Sequence, residues 1–130
     1  MQETVLLYNI DKTEAGKAMI SILEKLNVKV ISVKSSDLMN PIGFILGIDE
    51  FERGTEALKQ IPHDDMMVMA GFEDKQVDIL LQIFKEANIP FIPLKAIVTQ
   101  TNVHWTFMQL LENVKTEYME LTGMNKDKIN

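Results

Sequence analysis

The sequence predicts an α/β domain: a small three-layer sandwich around a mostly parallel four-stranded sheet, strand order 2-1-3-4, with helices on both faces. Three observations carry this. Four short apolar, β-branched segments alternate with segments whose apolar residues recur at helical spacing. That alternation is the pattern of βαβ units, which pair strands in parallel through right-handed crossovers. A chain of 130 residues suits one such domain and can bury roughly two-thirds of its unfolded surface.

The elements follow in order. Thr4–Tyr8 is nearly all apolar, as for a strand covered on both faces. Asp11 followed by Glu14 opens a helix in the manner of a capping box, with Asp as the cap. That helix carries Ala15, Met19, Ile22, Leu23 and Leu26 on its core side and ends at Asn27. Val28–Val33 alternates and is β-branched, the second strand. Ser35–Asp37 is a turn. Asn40 and Pro41 before Ile-Gly-Phe-Ile-Leu-Gly47 read as cap, first turn and stop of a short helix. Ile42–Leu46 also fits a strand. Ile48–Pro62 is the least regular stretch, with a helical turn around Glu56–Gln60.

Met66–Ala70 is the third strand, and Gly71 turns the chain into a helix over Glu73–Ala87 with Val77, Leu80, Leu81 and Phe84 on one stripe. Asn88 and Pro90 close it. Phe91–Leu94, extending toward Val98, is the fourth strand, and Pro93 inside it marks an edge position. A last helix runs from about Asn102 to Leu121, its core face Phe107, Leu110, Leu111, Val114, Tyr118 and Leu121. Gly123 ends the domain, here taken as 1–123, and 124–130 is a polar tail. No internal repeat or linker interrupts it.

Composition narrows the function. Acids outnumber bases 19 to 13, net −6, which opposes binding to nucleic acid or an anionic membrane, since both need a basic patch. No cysteine is present, so thiol catalysis, thiolate metal sites and a disulfide scaffold are excluded, and a reducing cytoplasm fits. No apolar run approaches a membrane span of roughly 20 residues, and the start Met-Gln-Glu-Thr is not that of a signal peptide. After the first strand the chain reads Asn-Ile-Asp-Lys-Thr-Glu, without glycine, so neither a dinucleotide fingerprint nor a P-loop is present. No cofactor is called for.

In an open parallel sheet the ligand site lies beyond the carboxyl ends of the strands, where strand order reverses. That places Asn9, Asp11, Gly71 and Phe72 around a crevice, with Thr99, Thr101 and Asn102 beside it. Hydroxyls and amides at a helix start suit a small anion or polar metabolite. The competing explanation is capping, by Asp11 in the first helix and by Thr101 or Asn102 in the last. His63-Asp64-Asp65 has metal-ligand residue types, but three neighbours in a polar loop make a poor chelate and belong at the amino edge, so no metal site is assigned.

Lys95, inside an apolar run, either snorkels at the sheet edge or points into a pocket. His104 near Thr101 has the chemistry of a general base, but no nucleophile or orienting acid adjoins it. The balance is against an enzyme. An enzyme using Lys95 or His104 remains a further alternative. Trp105, Met108 and Met119 lie off the main apolar stripe of the last helix and form a second apolar face, a surface for another protein, foremost a second copy of this chain.

Val5-Leu-Leu-Tyr-Asn9, Met67-Val-Met-Ala-Gly-Phe72, Pro93-Leu-Lys-Ala-Ile-Val-Thr99 and Thr101-Asn-Val-His-Trp105 together resemble a bacterial domain-of-unknown-function family, the one numbered 3783, over nearly the whole chain. The resemblance implies a small bacterial cytoplasmic α/β protein and brings no activity, cofactor or catalytic residue with it. The expected function is therefore a non-enzymatic regulatory or ligand-binding module for a small polar or anionic ligand. The alternative is an interaction module that dimerises through its last helix.

Overall fold

A computed structural model describes residues 1–123; the polar tail lies outside the described residues. The elements are β1 (Thr4–Tyr8), α1 (Glu14–Lys25), β2 (Lys29–Val33), α2 (Ile42–Ile45), β3 (Met66–Ala70), α3 (Asp74–Glu86), β4 (Lys95–Ile97) and α4 (Phe107–Leu121), with 3₁₀ turns at Ser35–Asp37 and Asn102–His104. The four strands form one sheet in the order β2-β1-β3-β4, as the sequence predicts.

Two of the three pairings are parallel: β1 with β2, Thr4 opposite Lys29, and β3 with β4, Met67 opposite Lys95. The central pairing is antiparallel, with Thr4 opposite Ala70 and Tyr8 opposite Met66. A parallel return needs an element that carries the chain back along the sheet. The five residues of β2 span about 17 Å, whereas the four residues of α2 rise only about 6 Å. The remainder, through residue 65, is irregular and contains no helix around Glu56–Gln60. No helical crossover therefore links β2 to β3, and β3 enters from the opposite end.

Strand residues of alternate parity feed two core clusters. One joins Val5, Leu7, Met67 and Met69 to Met19 and Leu23 of α1 and to Val77, Leu80 and Phe84 of α3. The other joins Leu6, Tyr8, Met66 and Val68 to Ile42 of α2 and to Phe107, Leu110 and Leu111 of α4. Leu26 and Leu121, expected on core faces, are 43% and 87% exposed, Leu26 as the C-cap of α1 and Leu121 as the last residue of α4.

Several boundaries differ from expectation for identifiable reasons. Thr13, not Asp11, caps α1: its hydroxyl accepts the Gly16 N–H at 2.9 Å. The strand expected over Phe91–Leu94 begins at Lys95, after Pro93, which has no N–H for the ladder. The last helix is broken. Asn102–His104 is a 3₁₀ turn, Trp105 is extended, and α4 starts after Thr106, which forms a reciprocal capping box with Gln109. The break lets the chain pair with the approach to α2. Ile42 N–H donates to Trp105 C=O at 2.8 Å, and Phe107 N–H to Asn40 C=O at 3.1 Å.

Asn40 is not a cap. It is buried, and its Oδ1 accepts the Gly54 N–H at 2.9 Å. A Cβ at residue 54 would lie 1.9 Å from the Met39 carbonyl oxygen, so only glycine permits this approach of the irregular segment. Among the described residues, no helix is long and apolar enough to cross a membrane.

Candidate functional site

The antiparallel joint divides the predicted crevice. Asn9 and Asp11 follow β1 and lie at one end of the sheet. Gly71, Thr99, Thr101 and Asn102 follow β3 and β4 and lie at the other. Gly71, at φ +80°, turns beside the chain start, where a Cβ would meet the Gln2 carbonyl oxygen at 3.0 Å. It shares no crevice with Asn9.

The β1 end is built by long-range bonds. Tyr8 Oη donates to the Pro62 carbonyl at 2.7 Å. Asn9 takes the left-handed conformation, φ 63°, which asparagine tolerates better than most residues. Its amide reaches the Asp64 carbonyl at 3.1 Å. His63, Asp64 and Asp65 therefore sit beside Asn9 instead of away from it, a direct consequence of the antiparallel joint. Asp64 also pairs with Lys115 of α4 at 3.2 Å. Burial pushes the Tyr8 phenol upward, the charge of Asp64 adds to this, and the hydrogen bond with Asn9 opposes it. Burial, then the neighbouring Asp64 charge, raises the Asp65 carboxyl. Among the described residues, no three His, Asp or Glu side chains converge to hold a metal. Asn9 and Asp11 line a cavity of about 400 Å³ with Lys12, Lys34 and Ser35.

The β4 end is built locally. Asn102 is buried, its Oδ1 accepts the Thr99 N–H at 2.8 Å, and its Nδ2 donates to the Ile97 carbonyl at 3.0 Å. The Thr99 hydroxyl accepts the Asn102 N–H at 3.0 Å. Val103 N–H donates to Thr99 C=O and His104 N–H to Thr101 C=O. The corner that reads in sequence as a set of outward donors is thus largely closed on itself, and Asn102 is the residue that closes it.

A cleft of about 440 Å³ nevertheless brings together Lys95, Thr99, Thr101 and Asn102, with Trp105 on its wall and Val114 of α4 beside them. Four of the sequence candidates converge here. His104 is not on this wall; its ring packs against Phe51, centroids 5.0 Å apart. Trp105 and Met108 are partly buried against the second core cluster, so the outer apolar face read from the last helix is largely spent within the chain.

Lys95 occupies the β4 edge. Its ammonium donates to the Ile92 carbonyl and lies 4.2 Å from the Phe91 ring centroid, and burial pushes it below the usual lysine range. Among the described residues it has no ion-pair partner. Sequence reasoning missed Tyr8, whose role depends on a contact 54 residues away. It also missed Thr106, whose capping box with Gln109 was legible three residues apart.

Residues 65–121, from the start of β3 to the end of α4, match the model of the family described as Domain of unknown function (DUF3783). The match is narrower than the nearly full-length resemblance in the sequence: Val5–Asn9 lies outside it, whereas the Met67, Pro93 and Thr101 segments lie within. No curated protein and no solved structure matches the chain.

Proposed function

We propose that the protein is a non-enzymatic regulatory module that binds a small polar or anionic ligand in the cleft at the carboxyl ends of β3 and β4. The observation that carries this reading is the convergence of Lys95, Thr99, Thr101 and Asn102 on one cleft walled by Trp105. Thr99 and Asn102 are committed to each other and give the wall its shape. Thr101 is exposed and offers a hydroxyl, while the stem of Lys95 borders the cleft and its ammonium lies toward Ile92 and Phe91. We place the protein in a bacterial cytoplasm, which its cysteine-free composition fits.

Trp105 supplies the readout. Phosphate, sulfate and a panel of nucleotides are titrated against its emission, with Thr101→Ala as control. A saturable change in the wild type that is lost in the variant is the expected result. A flat response to every compound removes the reading.

A second reading, self-association, is favoured by a different observation. Met67 N–H donates to Leu94 C=O, and Val98 N–H to Met69 C=O. Strand alternation then turns the N–H and C=O of Lys95 and the N–H of Ile97 away from β3, toward an edge on which only the Ile97 carbonyl is already taken, by the Asn102 amide, and beside an Ile97 side chain that is 36% exposed. Such an edge is a template for another strand. A homodimer joined there should be visible by sedimentation and abolished by Ile97→Lys. A wild type that stays monomeric at high micromolar concentration excludes it.

A further inference from the structure

A second cavity, of about 480 Å³, opens on the far side of Lys95, between α3 and the 88–94 loop. Its apolar lining comes from Leu81 and Phe84 of α3 and from Ile89, Phe91 and Ile92 of the loop. Leu81, Ile89 and Ile92 pack against the first core cluster, so the floor is fixed. Phe91 is not: it is 73% exposed at this site. A ring left in water at a cavity mouth is apolar surface that a ligand would cover. The volume falls within the roughly 300–1,000 Å³ of small-molecule sites.

The charge of this cavity is opposite to that of the chain. Two lysines, Lys85 and Lys95, line it against a single acid, Asp78, in a protein of net charge −6. Lys95 is half-buried among apolar groups and has no ion-pair partner among the described residues. Its hydrogen bond to a neutral carbonyl and the face of the Phe91 ring, 4.2 Å from the ammonium, supply partial negative charge but no counter-ion. A cationic ligand would be repelled there. A neutral apolar one would fill the volume and strip more water from the ammonium without compensation. An anion with an apolar body does both jobs at once, and a carboxylate meets an ammonium in a short charge-assisted hydrogen bond.

We propose that this cavity is a binding site for a small amphipathic carboxylate, its headgroup on Lys95 and its apolar body over Leu81, Phe84 and Ile89, with Phe91 closing over it. The site is separate from the Thr101 cleft, although Lys95 borders both.

Octanoate, octanol and acetate separate the contributions by titration calorimetry. Octanoate should bind the wild type at least tenfold more tightly than octanol, and acetate should bind too weakly to detect. Lys95→Met keeps the apolar stem but removes the charge; it should bring octanoate down to the affinity of octanol. Lys95→Arg should retain the preference, and Phe91→Ala should weaken both eight-carbon ligands. Thr101→Ala should change none of these, which distinguishes this site from the cleft. Equal binding of octanoate and octanol by the wild type overturns the proposal. So does no binding of either, or unchanged octanoate affinity in Lys95→Met.

Discussion

The two parallel pairs of the sheet end differently. At the carboxyl end of β1, Tyr8 and Asn9 are tied to backbone carbonyls 54 and 55 residues away. At the carboxyl end of β4, Asn102 is tied to partners three and five residues away. The first end is bridged by the irregular segment before β3, and an ion pair to α4 fastens that segment. The second end is shaped by the chain around it, with Asn102 taking the Ile97 carbonyl at the β4 edge. A locally tied corner holds its form without a distant element across its mouth. The cleft adjoins that corner and the apolar cavity adjoins the amino end of β4, both inside the part of the chain that matches the family model.

Breaking the local corner should cost most. Asn102→Ala removes both side-chain bonds and leaves the Thr99 N–H without a partner in a part-buried setting. We expect a loss of about 2–3 kcal/mol in urea melts, from two hydrogen bonds and one orphaned donor. A loss below about 0.5 kcal/mol would mean that the corner is held by its 3₁₀ turn alone. The long-range end should yield less to a single change. Tyr8→Phe deletes one hydroxyl and its bond to Pro62, and we expect about 1 kcal/mol. A larger effect from Tyr8→Phe than from Asn102→Ala would reverse the comparison, making the distant bridge the stronger of the two.

The same contrast governs what was legible in the sequence. β1 and β3 occupy the residues their apolar runs indicate, Thr4–Tyr8 and Met66–Ala70, because fully buried strands declare themselves locally. Strand order was also readable. Strand direction was not: it turns on whether the connection after β2 carries the chain back along the sheet, and the irregular stretch before β3 has no periodicity to decide that. The candidate site suffered directly, since a reversed β3 moves Gly71 away from Asn9 and brings Asp64 to it. Caps were legible in kind but not in place. Asp11 and Asn40 have the right chemistry, yet Thr13 caps α1, and Asn40 spends its oxygen on Gly54, fourteen residues on. Lys95 was the sharper case. Sequence allowed either edge or pocket, and the structure gives it both, with β4 on one side and an apolar cavity on the other.

The smallest expected effect tests whether the β4 end strains its own lysine. Burial lowers the Lys95 pKa in the folded chain, so the unfolded chain holds that proton more tightly. Where the unfolded state binds more protons, stability rises with pH. The penalty is therefore complete below the folded-state pKa and is relieved as pH climbs from there toward the unfolded value near 10.5. Lys95→Met cannot titrate. Its stability relative to wild type should be most favourable at neutral pH and should decline steadily as pH approaches 10.5. The size of the drift is limited because the side chain is only partly buried and solvent screens it. Urea midpoints of both proteins, measured at intervals from pH 7 to 10.5, give the sign. A gap that widens with pH would mean that the bond to Ile92 and the face of Phe91 hold the charged lysine better than water does. The cavity beside it would then need no counter-ion, and the β4 end would be as self-sufficient as the end around Tyr8.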